Sequence, residues 1–152
     1  MRMPARRARP TPMSEASDAL HAAAAEAVRA AAEAGGLAIE SWERSQRHAF
    51  AALAFGIVSA AAARHEAADR TADVAVGVLR LAMRLPFREA QVTVDAIVDA
   101  ITEQRPHPAV RSLVQCGWQA GNAWLEGARD RFEALIVQAT ASDGFASDRP
   151  LL

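Results

Sequence analysis

The sequence predicts an all-α protein, a bundle of four or five amphipathic helices whose last helix is like a coiled coil. Three observations predict this class. About a quarter of the 152 residues are alanine, which is the best helix former. Apolar side chains recur at helical spacing through most of the chain. Glycine and proline fall at a few places, where they divide the pattern into segments.

Length and charge limit the class of protein further. A chain of 152 residues buries about two-thirds of its unfolded surface when it folds as one domain. The formal net charge of −1 gives no electrostatic reason to expect nucleic acid as a partner. A single cysteine, Cys116, excludes an internal disulfide and fits a reducing cytoplasm. All 17 basic residues are arginine, a bias that we attribute to a GC-rich bacterial genome.

We expect one helical domain, residues 14–140, between two irregular ends. Residues 1–13 are rich in arginine and proline and lack the apolar core of a secretory signal, so they predict a disordered basic arm. Translation can start at Met1 or at Met13, and a nucleic-acid role for the arm is a less favoured alternative. Residues 141–152 predict a flexible tail.

The first helix should begin near Ser17 and carry one apolar stripe. This stripe comprises Leu20, Ala24, Ala27, Val28 and Ala31. Gly35 and Gly36 follow the stripe. They either end the helix or bend a longer one, because the pattern is helical on both sides of them.

The uncharged run, residues 49–63, reads AFAALAFGIVSAAAA and contains no charged side chain. A surface helix keeps a polar face, so this run must be central in a bundle, paired with another chain or laid on an apolar surface. It is shorter than the roughly 20 apolar residues of a membrane span, and we expect no such span. Burial against protein is the favoured interpretation. The candidates for an apolar-surface or interface contact are Phe50, Leu53, Phe55, Ile57 and Val58.

Two further helices should form a hairpin around Pro86. The first is predicted to bury Val74, Val78, Leu81 and Leu85. Proline interrupts a helix interior but is accepted in a first turn, so the second helix should begin near Phe87. Its predicted buried face comprises Phe87, Ala90, Val94, Ile97 and Ile101. The motif RPHP, residues 105–108, should end it.

The last helix, predicted over residues 109–140, has a heptad pattern. One row of the pattern is bulky and another contains small residues, so a partner helix can approach closely at Gly121 and Ala128. Trp124 lies off the bulky row, and we expect it to face a second partner. The predicted oligomer seam comprises Val114, Trp118, Gly121, Trp124, Leu125, Ala128, Phe132 and Leu135.

The acidic residues Asp95, Asp99 and Glu103 lie four positions apart on one helix face, where their charges repel one another. We expect ion pairs with Arg70 and Arg80 to offset this repulsion. A carboxylate metal-binding bundle is an alternative that we favour less, because the sequence has no Glu-x-x-His pair.

Other reactive side chains give no sign of catalysis. Cys116 has apolar neighbours in sequence and is expected to be a buried, inert thiol. The four histidines lack the spacing of metal ligands. We therefore predict no catalytic residue, no cofactor site and no metal site, and a protein that is not an enzyme.

The long segment SWERSQRHAFAALAFGIVSAAAARHEAADRTADVAVGVLRLA, followed by the heptad pattern, resembles the phasins that coat polyhydroxyalkanoate granules. The resemblance covers residues 41–139 and lies in the alanine-rich composition and the long amphipathic segments, with no fixed motif. It implies a non-enzymatic homo-oligomer of the bacterial cytoplasm that lays apolar helix faces on a polyester surface. Each Å² that the uncharged run removed from water there would contribute about 25 cal/mol. The alternative is an oligomeric helical interaction or structural protein that binds no polymer.

Overall fold

Six α-helices make up most of the described part of the chain, which comprises residues 12–36, 44–102, 107–142, 145 and 152 of a computed structural model. These residues contain no strand, so the all-α prediction is confirmed, although the helices number six rather than four or five. The helices are α1 (Pro12–Ala34), α2 (Arg44–Arg64), α3 (Thr71–Met83), α4 (Phe87–Ile101), α5 (Pro108–Leu125) and α6 (Arg129–Thr140). One turn of 3-10 helix, Ala68–Arg70, precedes α3.

The second helix, α2, is the centre of the bundle and packs against α1, α3, α4 and α5. Within the uncharged run, every side chain except Ser59 and Ala63 is buried. The hydroxyl of Ser59 donates a hydrogen bond to the carbonyl oxygen of Phe55 at 2.8 Å, so this polar group is satisfied inside the helix. The run has no polar face because nearly all of its surface meets other helices of the same chain.

Three glycines let α2 and α5 approach until their backbones touch. A Cβ atom added to Gly56 of α2 would overlap the carbonyl oxygen of Val114. A Cβ atom added to Gly117 of α5 would overlap the carbonyl oxygen of Leu53, and Gly121 extends the contact by one more turn. Small residues on both helices therefore set the distance between them.

The first helix buries the predicted stripe, since Leu20, Ala24, Ala27, Val28 and Ala31 are each at most 2% exposed. It ends at Ala34, and Gly36 adopts a positive φ of 63°, a conformation that favours glycine because it lacks a Cβ atom. The N–H of Gly36 donates to the carbonyl oxygen of Glu33 at 3.0 Å. The glycine pair thus ends α1. Residues 37–43 and residues 1–11 of the predicted arm lie outside the described residues, whereas Pro12 and Met13, which the sequence predicts as part of that arm, belong to the first turn of α1.

The hairpin of α3 and α4 turns at Pro86, and α4 begins at Phe87 as predicted. The prediction for the α3 stripe is wrong at Leu81, which is 76% exposed, whereas Leu79 is buried in its place. The reason is that α3 packs against three helices, α1, α2 and α4. Its buried face is therefore wider than one stripe, and it includes Leu79 but not Leu81. Phe87 was also expected to be buried but is 57% exposed, because it occupies the first position of α4.

The single long helix predicted over residues 109–140 is wrong, because α5 ends at Leu125 and α6 starts at Arg129. Gly127 has a φ of 78° in the connecting turn. Its N–H donates to the carbonyl of Trp124 at 3.1 Å, and the N–H of Ala128 donates to the carbonyl of Ala123 at 2.9 Å. This hydrogen-bond pair is a Schellman motif, which ends a helix at a left-handed glycine. The heptad rows are consequently divided between two helices that pack on each other, and a coiled-coil helix is not confirmed.

The predicted tail packs with the core at two described positions. Phe145 is 5% exposed, and its N–H donates to the carbonyl of Ser142 at 3.1 Å. Leu152 is partly buried against the core. These two residues belong to the packed structure.

Substitution of Gly117 tests the backbone contact between α2 and α5. Gly117→Ala should lower the free energy of unfolding by about 3 kcal/mol, since the new Cβ meets backbone that can yield only if the helices separate. Gly77→Ala is the matched control, because a Cβ there meets only the imidazole of His21 at 3.2 Å. Alanine also gains up to about 1 kcal/mol of helix propensity at that site. Urea unfolding measures both variants, and equal losses of stability would contradict the close crossing.

Candidate interaction surface and cavity

The residues predicted to contact an apolar surface are all inside the bundle. Phe50, Leu53, Phe55, Ile57 and Val58 are each at most 5% exposed. Their contacts are with the chain's own helices, because α2 is covered on its sides by α1, α3, α4 and α5. In this folded structure these side chains therefore pack against the rest of the chain, and the apolar-surface contact stays a prediction that would require the helices to separate.

The predicted oligomer seam is turned largely inward. Gly121 lies against Ile57 of α2, and Phe132 is 1% exposed. The partly buried members of the seam that pack on the core are Val114, Trp124, Leu125, Ala128 and Leu135. Trp118, at 40% exposure, is the member most open to solvent. Sequence periodicity identified a face that packs closely, but most of that packing is within the chain.

The indole of Trp124 is covered by α6. Its ring centroid lies 4.9 Å from that of Phe132, with the two planes at 57°. The guanidinium carbon of Arg129 lies 3.7 Å from the centroid of the Trp124 ring, a cation–π contact. The second partner expected for Trp124 is thus a neighbouring helix of the same chain.

Exposed large apolar side chains are concentrated on the α3–α4 hairpin. Across the described residues, the exposed ones are Leu81 (76%), Val92 (62%), Phe87 (57%), Val137 (54%) and Trp118 (40%). The first three belong to the hairpin. The guanidinium of Arg80 lies over the ring of Phe87, 5.6 Å from its centroid, so one face of that ring carries a cation. Sequence reasoning missed this surface because it assigned Leu81 and Phe87 to the core.

Within the described residues, the ion pairs predicted for Asp95 and Asp99 do not form. Neither Asp95 nor Asp99 lies within 4.0 Å of Arg70 or Arg80. Asp95 instead accepts a hydrogen bond from the glutamine one turn earlier, with N to O at 3.0 Å. Glu103 lies outside the described residues. The described part of the chain contains no group of three or more His, Cys, Asp or Glu side chains placed to hold a metal ion.

Cys116 is a half-buried thiol on α5. Its S–H donates a hydrogen bond to the carbonyl oxygen of Leu135 at 3.4 Å. Burial raises the pKa of the Cys116 thiol above its ordinary value, so less thiolate is present at neutral pH. Both effects disfavour nucleophilic chemistry at this sulfur.

A cavity of about 430 Å³ lies where α2, α4 and the turn between α3 and α4 meet. Its polar lining comes from Arg47, His48, Glu89 and Thr93, and its other walls are apolar. The Nε atom of Arg47 is screened from solvent and makes no hydrogen bond to the described residues. No sequence pattern indicated this cavity, because its lining residues are far apart in the chain.

Comparisons with known proteins identify no relative: no family model, no curated protein and no solved structure matches this chain. The resemblance to phasins therefore rests on sequence composition and helical patterning alone. Among the helices that the structure describes, none combines the length and the apolarity that crossing a bilayer requires.

Alkylation kinetics test the environment of Cys116. At pH 8, iodoacetamide should modify the native thiol roughly tenfold more slowly than the same thiol in denaturant, because thiolate is the reacting form and burial disfavours it. The time course is followed by intact mass. Equal rates for the native and unfolded chains would show an accessible, ordinary thiol.

Proposed function

We propose that this chain is a non-enzymatic helical-bundle protein that acts by association, with a second copy of itself as the partner of the α3–α4 hairpin. The observation that carries the proposal is the distribution of apolar side chains. The side chains of the uncharged run are nearly all buried inside the bundle, whereas Leu81, Phe87 and Val92 are exposed on one hairpin. Clustered exposed apolar side chains are typical of surfaces that bind.

The charges along the hairpin favour a second copy over an unrelated partner. Arg80 and Arg88 are exposed near the turn, at the end of α3 and the start of α4. Asp95 and Asp99 are exposed farther along α4. If two copies pack about a two-fold axis with their α4 helices antiparallel, the basic end of each hairpin lies beside the acidic stretch of the other. An isologous interface of this kind uses one self-complementary patch twice.

The expected strength of this association is moderate. Burying one large apolar side chain contributes about 1.5–3 kcal/mol. Association costs about 4 kcal/mol or more in lost translational and rotational freedom. Three such side chains on each copy give a surplus of roughly 5 kcal/mol or more over that cost, and a surplus of about 8 kcal/mol corresponds to a micromolar dissociation constant.

A polyester surface is the second candidate partner, and the uncharged run is the observation that favours it. This run is the longest continuous apolar segment of the chain, and an opened bundle would present it to a granule. Opening would have to separate α2 from α5 and expose side chains such as Phe50 and Ile57, which are fully buried. The closed bundle thus favours a protein partner.

Paired substitution of Leu81 and Phe87 tests the hairpin interface. The variant Leu81→Ser/Phe87→Ser should weaken the dimer by roughly tenfold or more, because truncating central apolar contacts costs upwards of about 1 kcal/mol each. Val137→Ser is the matched control, since Val137 is similarly exposed but lies on α6. Sedimentation equilibrium measures the dissociation constants. A wild-type chain that stays monomeric, or a hairpin variant that dimerises like the control, would contradict the proposal.

Granule co-sedimentation distinguishes between the two candidate partners, a second copy of the chain and a polyester surface. The folded chain should stay in the supernatant beside purified polyester granules, because its longest apolar segment is internal. Co-sedimentation that the hairpin variant retains would instead indicate an opened bundle and favour the polymer role.

A further inference from the structure

The cavity between α2, α4 and the α3–α4 turn has the dimensions of a ligand site. Its volume of about 430 Å³ falls inside the range of roughly 300–1,000 Å³ that small-molecule sites occupy. Its lining combines a few polar groups with apolar walls, which is the usual composition of such sites. The association proposed above makes no use of its charged lining.

Arg47 supplies an unmatched hydrogen-bond donor. Its side chain is partly buried, and its Nε atom is shielded from water without a hydrogen-bond partner in the described part of the chain. An unpaired donor is costly, and the Arg47 side chain lines the cavity, so an acceptor that pairs with its guanidinium there is favoured. The planar guanidinium matches a carboxylate, which accepts two parallel hydrogen bonds from it.

The remaining walls suit an apolar tail. Met83, Leu85 and Val92 contribute large apolar side chains, and Ala51 and Ala96 leave room between the helices. Methionine adapts its shape to a flexible neighbour, since its side chain is unbranched. An unbranched hydrocarbon chain can therefore lie along α4 and bury its surface there.

The other polar groups limit the charge of the ligand. Glu89 is exposed on the same cavity, so its carboxylate disfavours a head group with several negative charges. The hydroxyl of Thr93 already donates to the backbone carbonyl of Glu89 at 2.8 Å, which leaves it only as an acceptor. The single guanidinium of Arg47 therefore favours a ligand whose head group carries one negative charge.

We propose that this cavity binds a small amphipathic monocarboxylate, with its head on Arg47 and its unbranched tail against Met83, Leu85 and Val92. The site is a binding site, and no bond is made or broken there. Arg47 fixes the orientation of the ligand, and the apolar walls supply most of the affinity.

Calorimetric titration with octanoate, below its micelle concentration, tests the proposal on the full chain. We expect saturable binding of one octanoate per chain. Octanol, which has the same tail without the charge, should bind roughly tenfold more weakly, as should octanoate to Arg47→Met, because each lacks the charge-assisted hydrogen bonds. Arg111→Met is the matched control, since Arg111 is exposed on α5 away from the cavity, and it should bind as the wild type does.

Two further variants keep the test decisive if Arg47→Met folds poorly. Glu89→Gln should bind octanoate a few-fold more tightly, because a repelling charge is removed from the cavity. Ala96→Leu should abolish binding of both probes, because the larger side chain fills the tail site. Unsaturable uptake of octanoate, no detectable binding, or equal affinity in Arg47→Met and the wild type would overturn the proposal. Leu81→Ser/Phe87→Ser leaves these lining residues unchanged, so this variant should still bind octanoate as a monomer, in which the proposed dimer contact of Val92 is also absent.

Discussion

The backbone contact between Gly56 of α2 and Gly117 of α5 is the constraint on which the rest of the structure depends. With both Cβ atoms absent, the two helices approach until Gly56 meets the carbonyl of Val114 and Gly117 meets the carbonyl of Leu53. This approach covers one side of α2. The helices α1, α3 and α4 cover the remaining sides, so the uncharged run becomes the interior of the bundle.

This arrangement determines which apolar side chains are exposed on the folded chain. The most apolar segment of the chain is committed to packing, and a folded bundle offers little of it to a granule, a bilayer or a second chain. The surface that we propose for binding is instead made by Leu81, Phe87 and Val92, which remain exposed on the α3–α4 hairpin. The cavity beside Arg47 arises at the edge of the same packing, where α2 meets the turn between α3 and α4.

Much of the fold could be predicted from local patterns, because helix starts and helix faces depend mainly on residues that are close in sequence. The α1 stripe and the start of α4 after Pro86 follow from helical periodicity and from the missing N–H of proline. Leu81 could not be placed, since the buried sector of α3 depends on how many helices surround it. The helix end at Gly127 was not predicted, because the heptad spacing of Trp118, Leu125 and Phe132 continues across it. The cavity could not be predicted, because Arg47 and Glu89 meet only through tertiary packing.

Native-state hydrogen exchange of the α2 amides tests most directly whether this helix is the centre of the fold. The account predicts that the amides from Phe50 to Ala62 are the slowest to exchange in the described part of the chain. They should exchange only through global unfolding, at a free energy equal to that from urea denaturation. Exchange of these amides as fast as that of the exposed ends of α4 and α6, or with an opening free energy well below global stability, would contradict it.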